Sequence, residues 1–315
     1  MHISVVLCTY NRCESLAKTL ESAAALTVPD SLEWEILVVD NNSSDQTRKV
    51  VEEFSHEHSG CVRYLFEPRP GLSHARNAGI REARGQIIAF LDDDVTLERK
   101  WLHNLTRHLH DGEWAGAGGR VFPEWNCPPP LWLSLDQWYA LGPLPNFDFG
   151  PDACELNEPP FGANMAFRKS VFEKYGGFRT DLGRRPGSLM SNEDTEFGRR
   201  LLLAGERLRY EPSAIVYHPV GEDRTKKKYF LLWWFHKGQA NIRQFGIRAG
   251  TTYFLAGIPL YLFRNLAVWA LKWGFEPNPS KRFSNKLKVW TKGGEILECY
   301  RKSIEGRKRT GNLSA

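Results

Sequence analysis

Short apolar runs alternate with amphipathic stretches over the first third of the chain. Residues 3–7, 34–39 and 62–66 read as strands. Between them, residues 15–26 carry Leu16, Leu20 and Ala24 at helical spacing, and Ser44 or Asp45 is placed to cap a helix through Val50, Val51 and Phe54. Residues 72–83 predict a further helix, broken by Gly85 just ahead of the apolar run 87–91. Such alternation predicts a parallel sheet with right-handed crossovers, its loops gathered along one edge.

The run 87–91 ends in Asp92, Asp93 and Asp94. Three adjacent like charges repel one another unless a cation or a set of donors offsets them. A hard divalent ion with oxygen ligands does this, and open α/β sheets bind ligands at the carboxyl ends of their strands. Taken alone, an acidic triplet reads equally well as a solvated turn.

The middle of the chain is different. Residues 123–160 hold nine of the eighteen prolines, together with Trp125, Trp132, Trp138, Phe147 and Phe149. Regular structure cannot run through such a stretch, and its aromatic content predicts an ordered loop that meets substrate. Residues 161–168 and 170–175 predict a strand and a short helix, 195–204 an amphipathic helix, and 214–217 a β-rich run before His218.

With 315 residues, 42% of them hydrophobic, the chain has room for one large or two small domains. A net charge of +5 gives no general affinity for nucleic acid, but the charge is uneven. Lys226, Lys227 and Lys228 open a basic, Trp-rich tail, and Arg301, Lys302, Arg307, Lys308 and Arg309 close it. The six cysteines form no CxxC pair, which argues against structural zinc. The N-terminus lacks the pattern of a secretory signal, which argues against a disulfide framework and predicts a chain that starts in the cytosol.

Four polar loops follow the four predicted strands: Thr9-Tyr10-Asn11-Arg12; Asp40-Asn41-Asn42-Ser43-Ser44-Asp45; the segment from Arg69 to Asn77; and Asp92-Asp93-Asp94. Each alone reads as a turn or a helix cap. Together on one sheet edge they offer carboxylates for hydroxyls and ring N–H groups, arginines for phosphate oxygens, and a metal site. Neither GxGxxG nor GxxxxGK[ST] is present, so neither a dinucleotide fold nor a P-loop is indicated.

In this order, TYNR, VVDNNSSD, RPGLSHARNAG and LDDD resemble the nucleotide-sugar half of family-2 inverting glycosyltransferases of the cell-surface or exopolysaccharide type. The resemblance covers about residues 3 to 220. It implies the GT-A fold: an α/β, Rossmann-like, mostly parallel central sheet flanked by helices. The implied transferase domain is 1–222, with 1–120 as nucleotide-sugar half and 121–222 as acceptor half, followed by a helical, basic and aromatic region 223–315. It implies that Thr9 and Asn11 line the base pocket and Asp40 contacts the base, that Arg69 and Arg76 lie along the ribose–pyrophosphate path, and that Tyr10, Arg12, Asn42 and Asn77 belong to the same nucleotide and donor site. Asp92-x-Asp94 corresponds to the DxD motif. Asp92 leans to the ribose, Asp94 binds Mn²⁺ or Mg²⁺, and Asp93 is the variable member, with the register open by one position. Asn164 lies in a strand beneath the donor sugar, and His218 is a second metal ligand. Glu193 and Asp194 match the acidic pair of the family. An acceptor hydroxyl has a very high pKa, so a placed carboxylate must take its proton; Asp194 is assigned as that base, with Glu193 as second choice.

The implied reaction is a single displacement from a nucleotide-sugar donor, UDP favoured, to a hydroxyl of a glycan or lipid-linked acceptor, with no nucleic acid involved. The tail from Lys226 to Trp273 reads as a surface lying on the inner face of the cell membrane or as a packed helical subdomain. Its longest apolar stretch, near residues 255–263, falls short of the roughly 20 residues of a span. A nucleotidyltransferase or a non-catalytic sugar-nucleotide scaffold are the alternatives. The first normally has a glycine-rich loop after its first strand, where TYNRCES has none; the second does not need Asp92, Asp94, Asp194 and His218 together. The sugar, the acceptor linkage and the oligomeric state are not written in these residues.

Overall fold

The computed structural model describes residues 2–58, 61–140 and 142–311. The chain divides into two compact units. The first takes the chain up to Cys127, Pro145–Pro186 and Glu193–Val220; the second takes Pro128–Leu144, Gly187–Asn192 and the chain from Gly221 onward.

The first unit opens with β1 (His2–Thr9), α1 (Cys13–Ala24), β2 (Glu33–Asp40), α2 (Thr47–Glu57), β3 (Val62–Phe66), α3 (Leu72–Glu82) and β4 (Ile87–Asp92). It continues through β5 (Thr96–Leu97), α4 (Trp101–Thr106), β6 (Gly116–Trp125), β7 (Cys154–Leu156), β8 (Asn164–Arg168), α5 (Lys169–Tyr175), α6 (Glu193–Leu203) and β9 (Leu208–Val220). The strands form one sheet in the order β3-β2-β1-β4-β8-β6-β9-β5, with β7 beside β9.

Alternating side chains divide the core into two layers, as strand geometry requires. Ile3, Val5 and Leu7 of β1, Ile36 and Val38 of β2, and Ile87, Ala89 and Leu91 of β4 pack on one face with α1, α2 and α4. Val6, Leu37, Val39, Ile88 and Phe90 pack on the other with α3, α5 and α6. Each large side chain buried this way contributes about 1.5–3 kcal/mol.

β1, β2, β3 and β4 run parallel, so their carboxyl ends share one edge. The sheet as a whole is mixed, however. β8 lies antiparallel between β4 and β6. A parallel neighbour needs a crossover that returns the chain to the starting edge; β8 follows an irregular segment instead. β6 was not legible as a strand, because GAGGRVFPEW carries three glycines and a proline, which are poor strand formers. The predicted β-rich run 214–217 is the centre of the 13-residue β9. The helix expected at 195–204 begins two residues earlier, at Glu193.

The second unit contains α7 (Lys227–Phe245), a two-stranded hairpin of β10 (Phe254–Leu255) and β11 (Ile258–Pro259), α8 (Leu260–Phe275) and α9 (Pro279–Gly311). α7 and α9 meet backbone to backbone. A Cβ on Gly238 would collide with the Thr291 carbonyl, and one on Gly294 with that of Phe235. The segments 128–144 and 187–192, expected within the transferase domain, group here. In 128–144 the reason is aromatic: Trp132 meets Phe230 and Phe283 edge-on, each at 5.1 Å, and the Trp138 indole N–H donates to Ser284 Oγ at 3.0 Å. No described helix is long and apolar enough to cross a membrane. The side chains of Arg307, Lys308 and Arg309 lie outside the described residues.

Asn164 holds the centre of the first unit together. It is fully buried. Its Oδ1 accepts the Trp101 indole N–H at 2.8 Å, and its Nδ2 donates to the carbonyls of Arg120 and Ala214, each at 2.8 Å. Asn164→Leu keeps the branched shape and orphans all three partners. It is expected to cost about 2–4 kcal/mol, since each unpaired buried polar group costs about 1–3 kcal/mol. Chemical denaturation measures this, and a change within experimental error would contradict the assignment.

Candidate active site

The carboxyl edge of the four parallel strands is built by side chains that tie one loop to the next. Thr9 pairs in register with Asp40, Asp40 with Phe66, and Cys8 with Asp92. Beyond β1, Asn11 adopts a left-handed backbone (φ 52°) and accepts from Ser44 N at 2.7 Å, while its own N–H donates to Ser43 Oγ at 2.9 Å. Beyond β2, Asn42 is also left-handed (φ 68°). Short polar side chains tolerate this conformation. Asp40 is buried and accepts from Ser43 N and from the Tyr64 hydroxyl, each at 2.8 Å. Asp45 accepts from Thr47 N at 3.0 Å and from the Thr47 hydroxyl at 2.6 Å, but the N-cap of α2 is Gln46, so the cap expected at Ser44 or Asp45 falls on neither.

Two ties had no signal in the sequence. Asn41 donates to the carbonyls of Glu67 and Arg69 and accepts from Gly71 N, fixing the loop after β3. Glu67 grips Arg69 through Nε at 2.8 Å and Nη2 at 2.9 Å, and the Arg69 hydrogen bonds hold its carboxyl down to about 2. Arg69 thus reaches the edge already paired.

Arg76, on α3, is buried beneath this edge. It donates to Glu193 Oε1 at 2.9 Å and to the Gly162 carbonyl at 3.1 Å, and lies 3.7 Å from Asp92 Oδ1. Burial works against its charge, and Glu193, Asp92 and Asp194 outweigh that cost and raise its pKa. Asn77 is spent within the protein: its amide clasps the Phe178 backbone by two hydrogen bonds of 2.8 Å. The same holds for Asn164.

The acidic pair opens α6, just after Asn192 with φ 80°. Asp194 Oδ2 accepts from Gly162 N at 2.9 Å, and its Oδ1 from Thr195 N at 2.6 Å. This holds the carboxylate at the positive end of the helix. Glu193 is buried, and its Oε2 has no partner among the described residues. Burial and then the Asp194 charge push its carboxyl up to about 7, against the pull of Arg76.

The third cluster brings together residues far apart in sequence. One ligand atom from each of Asp92, Asp94 and His218 falls within 4.8 Å of the others. His218 Nε2 lies 3.6 Å from Asp92 and 3.5 Å from Asp94, and its buried Nδ1 has no partner among the described residues. Burial would raise the Asp92 carboxyl; the His218 hydrogen bond and the charges of His218 and Arg76 hold it below the usual carboxylate range instead. Two carboxylates and an imidazole are a donor set that fits a divalent cation. Asp93 points elsewhere. Arg12 donates to Asp93 at 3.0 Å and to Asp94 at 2.7 Å. Burial, reinforced by Asp94 and opposed by Arg12, pushes the Asp93 carboxyl up to about 6. Thr9 is buried at the end of β1, and Tyr10 is exposed beside it.

Known proteins resemble this chain in sequence and in fold. The description "Glycosyl transferase family 2" matches residues 4–176. The succinoglycan biosynthesis protein ExoM of Rhizobium meliloti is 31% identical over 77% of this chain and 75% of its own length. The glucosyl-dolichyl phosphate glucuronosyltransferase of Haloferax volcanii is 30% identical over 76% and 75%. Among solved structures, the Pyrobaculum calidifontis mannosyltransferase PcManGT, in complex with GDP-Man and Mn²⁺, superposes with a TM-score of 0.58 at 17% identity over 96% of this chain and 86% of that one. S. aureus TarS 1-349, in complex with UDP, superposes at 0.55 and 18% identity over 98% and 92%. The sheet order, the match over more than half of the sequence and these relatives lead to one assignment: the chain belongs to glycosyl transferase family 2 and is a glycosyltransferase of GT-A fold.

Proposed function

We propose that this enzyme transfers a sugar, with inversion, from a UDP-linked donor to a hydroxyl of a glycan or lipid-linked acceptor at the inner face of the cell membrane. The observation that carries the reading is Arg76, which joins Asp92 of the three-residue cluster to Glu193 of the acidic pair. The polysaccharide and dolichyl-phosphate chemistry in the names of the two curated relatives supports the acceptor class.

In this reading Thr9, Tyr10, Asn11, Arg12, Asp40 and Asn42 line the nucleoside side, and Arg69 and Asp93 border the ribose and diphosphate. Asn77 and Asn164 act by positioning. Asp92, Asp94 and His218 would hold Mn²⁺ or Mg²⁺, which would supply charge neutralisation for the leaving diphosphate. Asp194, oriented by Gly162 and Thr195, takes the acceptor proton while the acceptor oxygen bonds to the anomeric carbon and the bond to the diphosphate breaks. Glu193 keeps Arg76 in place. The leaving group is already good, so a second carboxylate that forms a glycosyl-enzyme is not needed.

Chelation with EDTA is expected to abolish transfer, and Mn²⁺ or Mg²⁺ to restore it, with Asp94→Ala beyond rescue. Full turnover in EDTA would refute the metal assignment.

Asp194→Asn is nearly isosteric but cannot accept the proton. A loss in kcat of about 10²–10⁴, the usual worth of a general base, is expected with donor affinity little changed. If Glu193→Gln is instead the crippled variant and Asp194→Asn is near normal, the base is Glu193.

Glu193 also sets a pH dependence. Its carboxyl is raised in the folded state, so its contribution to stability is fully present below about pH 4.5 and is lost as pH rises through about 7. Glu193→Gln cannot ionise, and is expected to flatten the decline in Tm across that window. An unchanged slope would remove Glu193 as its source.

A further inference from the structure

Between Asp223 and Glu276 lie 52 residues with nine lysines and arginines and no carboxylate side chain. The hairpin and α8 fall in this stretch, and they display what a soluble helix hides. Of α8 only Leu262 is buried. Phe275 is 83% exposed and Leu271 60%, and in the hairpin region Tyr253 and Leu255 stand out in the same way. Large apolar side chains exposed in this number on one element mark an interaction site. Its borders carry Trp–Lys pairs: Lys272 and Lys288 lie over the Trp269 ring at 4.7 and 4.0 Å, and Lys286 over Trp273 at 5.2 Å. Amphipathic rings and basic groups side by side suit the headgroup level of a bilayer.

A cleft of about 480 Å³ opens between the loop before the hairpin and the start of α8. Arg248, Thr251, Thr252, Tyr253, Tyr261 and Arg264 line it. The Tyr261 hydroxyl accepts from Arg248 N at 3.3 Å, which fixes the loop to the helix. Arg248 and Arg264 are both exposed. Neither guanidinium has a carboxylate within ion-pair reach among the described residues. Two uncompensated arginines facing one cleft make a fork for phosphate oxygens.

We propose that the hairpin and α8 form a shallow lipid-docking element. Its exposed apolar residues enter the acyl boundary of an anionic leaflet, and the Arg248–Arg264 cleft takes the phosphate of a phospholipid headgroup. The inference rests on the membrane-face placement proposed above and names the residues that achieve it. α8 is a 16-residue helix with Arg264 and Lys272 within it, so it lies in the interface.

The test is co-sedimentation of the full chain with phosphatidylglycerol-containing vesicles, with pure phosphatidylcholine vesicles as comparison. The wild type is expected to bind the anionic vesicles, to release partly in high salt, and to be indifferent to free inorganic phosphate at low millimolar level. Replacing both arginines (Arg248→Ser with Arg264→Ser) is expected to weaken partitioning about 30-fold, and Leu271→Glu with Phe275→Glu to abolish it. Circular dichroism and nucleotide binding are expected to stay at wild-type values in both variants. Binding of wild type and both variants alike would overturn this element as the docking site while the membrane-face reading stands. No binding of the wild type would overturn both. Competition by inorganic phosphate would make the cleft a free-anion site and refute the lipid assignment. A shift from dimer to monomer in the Leu271/Phe275 variant, without a change in vesicle binding, would assign the apolar face to a second copy of the chain.

Discussion

A guanidinium buried to the extent of Arg76 must be compensated, because an unpaired charge in that position costs several kcal/mol. Much of the site follows from meeting that demand. Glu193 comes from α6, Asp92 from the end of β4 and a carbonyl from the turn at Gly162, and all three converge on one side chain from α3. The rings of Phe178 and Phe90 flank it at 5.4 and 6.0 Å and keep water away. The low local dielectric strengthens each pairing, and it also makes each one obligatory. The result is a rigid cross-brace between the cluster at Asp92 and the acidic pair at the head of α6.

The parts of the fold that could be read in the sequence are those where one rule dominates. β1 to β4 are short apolar runs between helical spacings, and the parity of their side chains reappears as the two core layers. The polar loops after them had to share an edge once the strands were parallel. β6 escaped because its glycines give no β signal, although Gly116 and Gly118 lie where a Cβ would strike Phe167 and Pro160. The sense of β8 escaped because periodicity carries no direction. Within the site, residue types were legible and their partners were not. Arg69, Arg12 and Arg76 all read as phosphate ligands, yet each is held by a carboxylate whose distance along the chain ranges from two residues to 117. Glu67 gave no signal, and Asn41 was legible only as part of the polar loop after β2 and not by its partners, because a loop tie is a fact of three dimensions. The approach of His218 to Asp92 and Asp94 was available only through the family resemblance.

The chain also separates its charges. In the first unit, acids and bases are interleaved and mostly paired, often over long sequence distances, as with Arg63–Glu35 and Arg107–Glu211. In the stretch that leads into α8, carboxylates are absent. α7 and α9 nonetheless pack closely, because Gly238 and Gly294 let backbones touch without a side chain between them. Arg243 of α7 and the buried Glu298 of α9 pair across that contact at 2.7 Å, and of α8 only Leu262 is buried, in a small core with Ile242 and Cys299.

Arg12 gives the acidic cluster a counter-ion that is covalently part of the chain. With its guanidinium on both Asp93 and Asp94, the triplet is neutralised in part as soon as the strand ends meet. On the metal reading proposed above, an incoming cation would meet Arg12 as a resident competitor for Asp94. Its affinity is set by the difference between two occupants, and whatever draws the half-exposed Arg12 outward, an anionic ligand above all, raises that affinity. On that reading, ion and anion would be coupled through Arg12, each raising the affinity of the other by the same factor.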